Sequence, residues 1–380
     1  MKAFQYRLYP NVEQQNELAQ AFGCVRYVWN WALGIRKEAY EYGGVSLNYN
    51  DTQDALPALK TELEWLKEAP SQALQYSLRN LDTAYKNFFA KRADFPSFKK
   101  KFSKQSLSFP QGVSVEERTI TLPKIGDVRA VIHRRFEGKI KTVTVTKRAS
   151  GKYFASILID DGVADPLPLP VTASGVIAVD LGVKTFATCS DGTTIENPKF
   201  FRRTREKVAR AGRQHSRKKK GSNNRERSRV RLAHLREKET NQRKDFLHKL
   251  TTNLVRENQA IAIEDLNVSE MVQNSRLAVS ISEVSFGEFR RQLEYKAKWA
   301  GKTVYVVSRF YPSSKTCNHC AWINADLTLA DRVWQCDCGE IVERDLNAAL
   351  NIRDEAIRQF LGVDCAEVTH EEKLRSFVES

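Results

Sequence analysis

The sequence lacks long apolar runs and a balanced complement of acidic residues, and it has only seven cysteines. It has no stretch of about 18 apolar residues and no apolar core of a secretory signal, so we expect a soluble, cytoplasmic protein. Its 61 Lys and Arg residues outnumber the 46 Asp and Glu residues, which leaves a net charge of +15 over 380 residues. Such a surplus favours a polyanionic partner, either nucleic acid or an anionic membrane surface. A chain of this length also predicts two or more domains.

Four of the seven cysteines lie within one short segment, which argues against a disulfide framework and for a metal site. They form Cys317-x2-Cys320 and, after fifteen residues, Cys336-x-Cys338. Paired thiolates of this kind bind tetrahedral Zn²⁺, so we predict one structural zinc ion held by all four. The second pair is one residue shorter than usual, which leaves His319 as an alternative ligand.

Convincing Ser-His or Cys-His arrangements are also missing, and three acidic residues are the candidates for catalysis instead. Asp180 ends an apolar strand in IAVDLG, Glu264 ends another in IAIEDL, and Asp345 begins a helix in RDLNAALNI. Adjacent parallel strands would bring the first two together, and the helix would place the third over both. Converging carboxylates repel one another unless cations lie among them, and oxygen ligands suit Mg²⁺ or Mn²⁺. We therefore predict two such ions, which activate water for phosphodiester hydrolysis.

The apolar periodicity divides the chain into three parts. Residues 11–92 have the spacing of helices and follow a strand at Ala3–Leu8, whereas short alternating strands between 119 and 159 predict a small antiparallel sheet or barrel. After a proline-containing linker at 161–173 come three strands, a helical region, a strand, a helix, a strand and a helix. That order is expected of an RNase H-like fold, so the predicted fold class is multidomain α+β.

Positive charge is concentrated between residues 201 and 247, where 18 Lys and Arg residues stand against 5 acidic ones. Because acids that could form intrahelical pairs are scarce, we interpret this region and its central basic turn as a phosphate-binding surface with salt-dependent affinity. A second basic stretch lies between Pro96 and Pro110. The candidate nucleic-acid contacts in the two stretches are Lys99, Lys100, Lys101, Arg202, Arg203, Arg213, Arg217, Lys218, Lys219 and Lys220.

Taken together, IAVDLG, IAIEDL, SSKTCNHC and CDCG followed by RDLNAALNI resemble the TnpB nucleases of bacterial insertion sequences, which are compact relatives of type V CRISPR effectors. RLYPNVEQQ, SLRNLDTAYKNFF and FPSFKKKF add to the resemblance, which extends to about residue 360. Each motif is weak alone, but their order and spacing are specific to the family.

The resemblance implies that Asp180, Glu264 and Asp345 are RuvC-type catalytic acids and that the four cysteines are zinc ligands. It also implies a guide RNA derived from the transposon end and a double-stranded DNA target beside a short motif that the protein reads. One protein per RNA is expected, with no membrane partner. Tyr49 and Gln75 occupy the matching stretches of the recognition unit and are candidates for reading that motif.

The implied domains interrupt one another: a wedge-like β-barrel contains a helical recognition bundle, and a RuvC nuclease domain contains a zinc ribbon. The predicted boundaries are 1–10 and 93–170 for the barrel, 11–92 for the bundle, 171–311 and 343–362 for the RuvC domain, 312–342 for the zinc ribbon, and 363–380 for a C-terminal tail. Ala321 departs from the family pattern because the first cysteine knuckle usually has Gly there. Glu343 likewise replaces a common Asp.

Three other functions are compatible with parts of this pattern. A nuclease-dead relative that occupies promoters with a guide RNA would lack one or more of the three acids, and all three are present. A transposase that joins strands without RNA would share the carboxylates and would differ in its products. A zinc-ribbon transcription factor would need neither Asp180 nor Glu264.

Overall fold

A computed structural model of the chain describes residues 1–102, 104–273, 278–328 and 330–362, except for the side chains of Phe201, Arg203 and Leu361. The predicted tail at 363–380 lies outside the described residues. The described chain divides into two compact units, one formed by residues 1–163 and 229–234 and the other by the remainder. None of the described helices is both long enough and apolar enough to cross a membrane.

Helices of the first unit occupy the segment predicted to be helical. They are α1 (Val12–Gly43), α2 (Tyr49–Glu62) and α3 (Ser71–Phe89), with a short 3-10 turn at Glu64–Glu68. A capping box begins α1, because Asn11 and Gln14 each accept a hydrogen bond from the other's backbone N–H. Leu18, Leu33 and Leu74 are fully buried, so the helices share one apolar core.

A seven-stranded antiparallel sheet completes the first unit. Its strands are β1 (Lys2–Tyr9), β2 (Gln105–Phe109), β3 (Ser114–Val115), β4 (Thr119–Leu122), β5 (Gly126–Val131), β6 (Lys139–Lys147) and β7 (Tyr153–Asp160). They hydrogen-bond in the order β2-β6-β7-β1-β5-β4-β3. The N-terminal strand is therefore central, since β1 pairs with both β5 and β7. No described ladder joins β2 to β3, so closure into a barrel stays a prediction.

A five-stranded mixed sheet forms the centre of the second unit. Its strands are β8 (Val176–Leu181), β9 (Thr185–Cys189), β10 (Thr194–Glu196), β11 (Ala260–Glu264) and β12 (Thr303–Val307), in the order β10-β9-β8-β11-β12. The first three are antiparallel, whereas β8, β11 and β12 run parallel to one another. The first four residues of β8 and of β11 are buried, as expected for strands covered on both faces.

Helices cover both faces of this sheet. They are α4 (Phe200–Ser216), α5 (Asn223–Glu257), α6 (Val268–Met271), α7 (Ala278–Val284), α8 (Phe286–Trp299) and α9 (Arg344–Leu361). Leu254 of α5 and Phe289 of α8 pack against Ile177 on one face, whereas Ile352 of α9 packs against Ala178 on the other. The predicted basic turn separates α4 from α5, and Gly221 takes a left-handed φ of 82° there.

Candidate metal centres

Three elements of the second unit bring the predicted carboxylates to one cavity. Val179 of β8 is in register with Ile263 of the parallel strand β11, so Asp180 and Glu264 follow at the same edge of the sheet. Asp345 lies in the first turn of α9, which packs on β8. All three line an open cavity of about 660 Å³. The sheet and the helix thus place an all-carboxylate donor set around one space.

The electrostatics of this cavity favour positive charge. Burial, together with the neighbouring carboxylates of Asp345 and Glu264, raises the pKa of Asp180 to about 7. Burial also raises the pKa of Glu264, as does the adjacent Asp265. Clustered carboxylates hold protons more tightly for this reason, and a cation can replace the proton. The residues therefore fit a divalent ion with oxygen ligands such as Mg²⁺ or Mn²⁺.

Asp345 is paired with arginines in this conformation. Nη1 of Arg332 lies 3.1 Å from both carboxylate oxygens, and Nη2 of Arg344 lies 3.2 Å from one of them. Arg332 belongs to the cysteine segment, and its backbone C=O accepts a hydrogen bond from the Arg344 N–H, which places it beside the start of α9. Sequence reasoning did not identify these arginines as site residues, because nothing in the spacing reveals a contact between the cysteine segment and the helix.

Further basic side chains line the same cavity. They are Lys184, Lys199, Arg202 and Lys315. Of these, only Arg202 is among the predicted nucleic-acid contacts, and its exposed side chain reaches the cavity from α4. A cleft with acids at its floor and cations around them suits a phosphate group bound beside a metal ion.

Sequence reasoning also did not identify Asp265, the residue after Glu264, as part of the surroundings of the carboxylate cavity. Its carboxylate accepts hydrogen bonds from Arg290 of α8 at 2.7 Å and from Arg309, which follows β12. These two guanidinium groups lower the pKa of Asp265. Asp265 thus remains charged and fixes the end of β11, while the neighbouring Glu264 faces the cavity.

The four predicted cysteines come together as predicted. Their sulfur atoms all lie within 4.8 Å of one another, with 4.0 Å between Cys317 and Cys338 and 3.4 Å between Cys320 and Cys336. Tetrahedral zinc with Zn–S bonds of about 2.3 Å requires sulfur separations of about 3.8 Å. The group therefore fits one zinc ion despite the short second pair. His319 is not part of it.

Two backbone features make the contracted site possible. Ala321 follows the first cysteine pair with a left-handed φ of 62°, where glycine would be unstrained, and Gly339 follows the second pair with a φ of 90°. The backbone N–H of Glu340 lowers the pKa of the Cys338 thiol to about 6, whereas burial raises the pKa of the Cys336 thiol to about 12, so Cys338 is the one that most readily offers a thiolate to zinc. The short spacing is accommodated by these turns.

Asparagine side chains attach the cysteine segment to α9. Nδ2 of Asn351 donates to the backbone oxygens of Ser313 at 2.7 Å and Thr316 at 2.6 Å, and Nδ2 of Asn347 donates to the Thr316 oxygen at 2.7 Å. The backbone N–H of Asn318 donates in turn to Asn347 Oδ1 at 2.9 Å. On the other side of the segment, the hairpin of β13 (Val333–Gln335) and β14 (Ile341–Glu343) continues directly into α9. The cysteine site is thus fixed to the helix that carries Asp345.

The predicted contacts on α4 and the basic turn are mostly exposed. Arg213, Arg217, Lys219 and Lys220 are exposed, whereas Lys218 is half-buried and donates to the Asn224 backbone oxygen at 3.2 Å. The side chain of Arg203 lies outside the described residues. Whether these residues contact nucleic acid stays a prediction.

The predicted contacts of the first unit differ in their surroundings. Lys100 and Lys101 are exposed, but the Lys99 ammonium lies 3.6 Å from the centre of the Trp29 ring. Tyr49 is half-buried beneath the Arg79 guanidinium, and Gln75 is exposed one turn before Arg79 on α3. Tyr49 and Gln75 therefore flank the same arginine, and their reading of DNA stays a prediction.

Three family models match the chain. They are OrfB_IS605, described as "Probable transposase", over residues 162–275, the "Cas12f1-like, TNB domain" over 286–352, and a "Helix-turn-helix domain" of the OrfB_IS605 group over 1–44. A "Putative RNA-guided DNA endonuclease" of Streptomyces pristinaespiralis is 41% identical over 92% of this chain and 88% of its own length. The "Putative RNA-guided DNA endonuclease InsQ" of Escherichia coli K12 is 36% identical over 93% of this chain and 91% of its own length.

These relatives and models show that the chain belongs to the TnpB family of insertion-sequence proteins, as its motifs predicted. Among solved structures, the cryo-EM structure of a Cas12f1–sgRNA–target DNA complex matches with a TM-score of 0.59 at 16% identity and covers 91% of this chain and 83% of its own. The multidomain α+β fold is therefore that of a compact type V effector.

Proposed function

We propose that the protein is an RNA-guided DNA endonuclease that cuts phosphodiester bonds at the three-carboxylate cavity of its second unit. The observation that carries the proposal is the convergence of Asp180, Glu264 and Asp345 on one cavity with a basic rim. Family membership supports it, because the two relatives described above carry the name RNA-guided DNA endonuclease and span nearly the whole chain.

The second unit would be a RuvC domain of RNase H-like fold, and this is consistent with its sheet order. Two divalent ions bound by the three carboxylates would supply an activated water and stabilise the leaving oxygen. Asp180 and Glu264, fixed at the ends of neighbouring strands, supply negative charge from a rigid base. Arg332 and Arg344 pair with Asp345 and line the cavity, where they would contact a phosphate.

The other proposed partners follow from charge and from the family. The basic helices α4 and α5 and the first unit would hold a guide RNA from the transposon end, and base pairing would select the DNA strand. Tyr49 and Gln75 would read the adjacent motif. One catalytic site would then cut the displaced and target strands in turn, while zinc stabilises the cysteine segment.

A strand-joining transposase is the second candidate, since the model matching 162–275 is described as "Probable transposase". The experiment that separates the two co-expresses the protein with RNA from its transposon end. The purified complex is incubated with Mg²⁺ and a plasmid library that carries a guide-matched target beside randomised flanks. Cleavage that requires RNA, a flank motif and Asp180 supports the proposal, with Asp180→Ala as control. RNA-directed binding without cleavage would indicate a repressor-like protein, and RNA-independent joining would indicate a transposase.

A further inference from the structure

An exposed aromatic and basic segment of the first unit has no part in the carboxylate or cysteine sites. Between α3 and β2, residues 95–100 form neither helix nor strand, and 101–102 form a turn. Phe98 is 51% exposed and Phe102 is 94% exposed. Lys100 and Lys101 lie between these rings and are exposed as well. We call residues 98–102 the Phe-Lys segment.

The backbone that carries this segment is anchored on α1. Nε1 of Trp29 donates to the Ser97 backbone oxygen at 3.1 Å. The Asn30 side chain donates to the Lys99 backbone oxygen at 3.0 Å and accepts from the Lys99 N–H at 2.7 Å. The Lys99 ammonium also lies over the Trp29 ring. The rings and ammonium groups are therefore presented from an ordered backbone, which lowers the entropy cost of binding a ligand.

The apolar ring surface extends from the segment towards the end of α3. Phe95, which is 46% exposed, lies edge-on to Tyr85 at 5.5 Å and to Phe88 at 5.2 Å. Phe89, beside Phe88, is 73% exposed. An exposed group of aromatic rings is costly in water unless another molecule covers it.

The alternation of rings and cations indicates which molecule does so. An apolar peptide or a lipid chain would gain little from Lys100 and Lys101, whereas a nucleic-acid strand offers flat bases and phosphates in alternation. Folded RNA presents such bases in loops and bulges whether or not a target is bound, whereas DNA would be unpaired only in a displaced strand. We propose that the Phe-Lys segment binds unpaired nucleotides of an RNA strand, with bases stacked on Phe98 and Phe102 and phosphates at the two lysines. Only the identity of that strand as the guide RNA rests on the proposed function.

The test uses the full-length protein and short labelled probes. They are a 12-nucleotide single-stranded RNA with 5-iodouridine, the same RNA as a duplex, and the corresponding single-stranded DNA. Irradiation followed by mass spectrometry locates crosslinks, and fluorescence anisotropy gives affinities at several salt concentrations. Phe98→Leu with Phe102→Leu removes both rings but keeps apolar side chains. Tyr42→Leu is the matched control, because Tyr42 is an 87% exposed ring elsewhere in the first unit.

The proposal predicts a crosslink from the single-stranded RNA to Phe98 or Phe102. The double ring variant should bind this RNA about tenfold more weakly and the RNA duplex within twofold of the original protein. Lys100→Gln with Lys101→Gln should instead reduce the slope of log affinity against log salt by about 1 to 2 for both RNA probes. Thermal melting of all variants should match that of the original protein, since the altered side chains are exposed.

Several results would overturn the proposal. The first two are crosslinks only at other sites, and crosslinks with the DNA probe but not with RNA. The others are an equal loss of affinity for single-stranded and duplex RNA in the double ring variant, and a loss of affinity for single-stranded RNA no greater than that of Tyr42→Leu. The outcome of the guided-cleavage experiment is independent of the crosslinking result. If the original protein shows the crosslink but no guided cleavage, the proposed function is wrong and the stacking surface stands. Guided cleavage without the crosslink contradicts the stacking surface alone.

Discussion

The cysteine site and the carboxylate site of the second unit differ in how far they are assembled. The four sulfur atoms already lie within 4.8 Å of one another, and among the described residues no other group of three or more His, Cys, Asp or Glu side chains meets that spacing. The three carboxylates face a common cavity, but Asp345 is paired with Arg332 and Arg344. Thiols can be neutral and packed together, whereas ionised carboxylates repel. The four cysteine sulfurs therefore lie closer together than the three carboxylates, and we propose that cations would draw the carboxylates together.

Of the changes considered, loss of one cysteine ligand should have the largest effect, and that effect should fall on the cysteine site. Cys336→Ser removes one of the four sulfurs, and zinc binding contributes about 10–16 kcal/mol to small zinc folds. We expect bound zinc to fall from one ion per chain to near zero, with rapid hydrogen exchange in residues 313–328. Elemental analysis and exchange mass spectrometry measure both. Cys24→Ala, outside the group, should keep its zinc, and an unchanged zinc content in Cys336→Ser would contradict the four-thiolate site.

Neutralising one carboxylate should slow cleavage strongly while leaving the zinc in place. Asp180→Asn removes a ligand from the floor of the cavity, and loss of metal activation on this scale costs about 4 kcal/mol, or about a thousandfold in rate. Guided-cleavage rates in Mg²⁺ check this, with zinc content measured in parallel. Asp245→Asn, an exposed carboxylate on α5 paired with Lys249, is the control and should cut normally. Comparable cleavage rates for Asp180→Asn and Asp245→Asn would show that Asp180 does not contribute to cleavage.

Cutting the link between the two sites should have a smaller effect on both. Asn351→Ala leaves the Ser313 and Thr316 oxygens with fewer donors in a buried position, which costs about 1–3 kcal/mol. We expect weaker zinc retention during chelator titration and slower cleavage. Asn80→Ala, at an exposed helical position on α3, serves as the matched control. Slower cleavage with full zinc retention would show that Asn351 acts on α9 alone.

The pH should change the affinity of the carboxylate site for divalent ions. The pKa of Asp180 is raised to about 7 in the folded protein, so the folded state binds a proton that the unfolded chain releases near pH 4. The stability that this proton contributes without divalent ions is present at low pH and is lost as the pH rises through about 7. Affinity for Mn²⁺ should rise with pH by up to about tenfold per unit below 7 and then level off. Calorimetric titration with Mn²⁺ between pH 5.5 and 8.5 measures how the affinity changes with pH. An affinity that does not change with pH would contradict the raised pKa of Asp180.

The smallest expected effect concerns the backbone of the cysteine site. Ala321 takes a left-handed conformation that costs an L-residue about 1–2 kcal/mol, and Gly carries no such cost. Ala321→Gly should therefore retain zinc about as well or up to tenfold better in a chelator competition. Weaker retention would mean that this turn is unstrained.

Sequence reasoning selected the candidate metal ligands because their residue types and their positions at element ends carry chemical meaning. Asp180 and Glu264 end apolar strands, and the parallel register then follows from the fold. The strand β2 was missed, because its five residues follow a lysine-rich stretch and only Leu107 and Phe109 point inward. Lys99 was interpreted as a phosphate contact, but its position over Trp29 depends on packing between segments about 70 residues apart. The Arg332–Asp345 pair likewise depends on tertiary structure.

Mn²⁺ binding tests most directly whether cations gather the three carboxylates. The zinc-loaded protein at pH 8 is titrated with Mn²⁺, and electron paramagnetic resonance measures the free ion, with Asp180→Asn titrated in parallel. Two tightly bound ions per chain are expected for the original protein, and at most one weakly bound ion for the variant. Equal binding by both proteins would show that the cavity is not the metal site and would contradict the proposed chemistry.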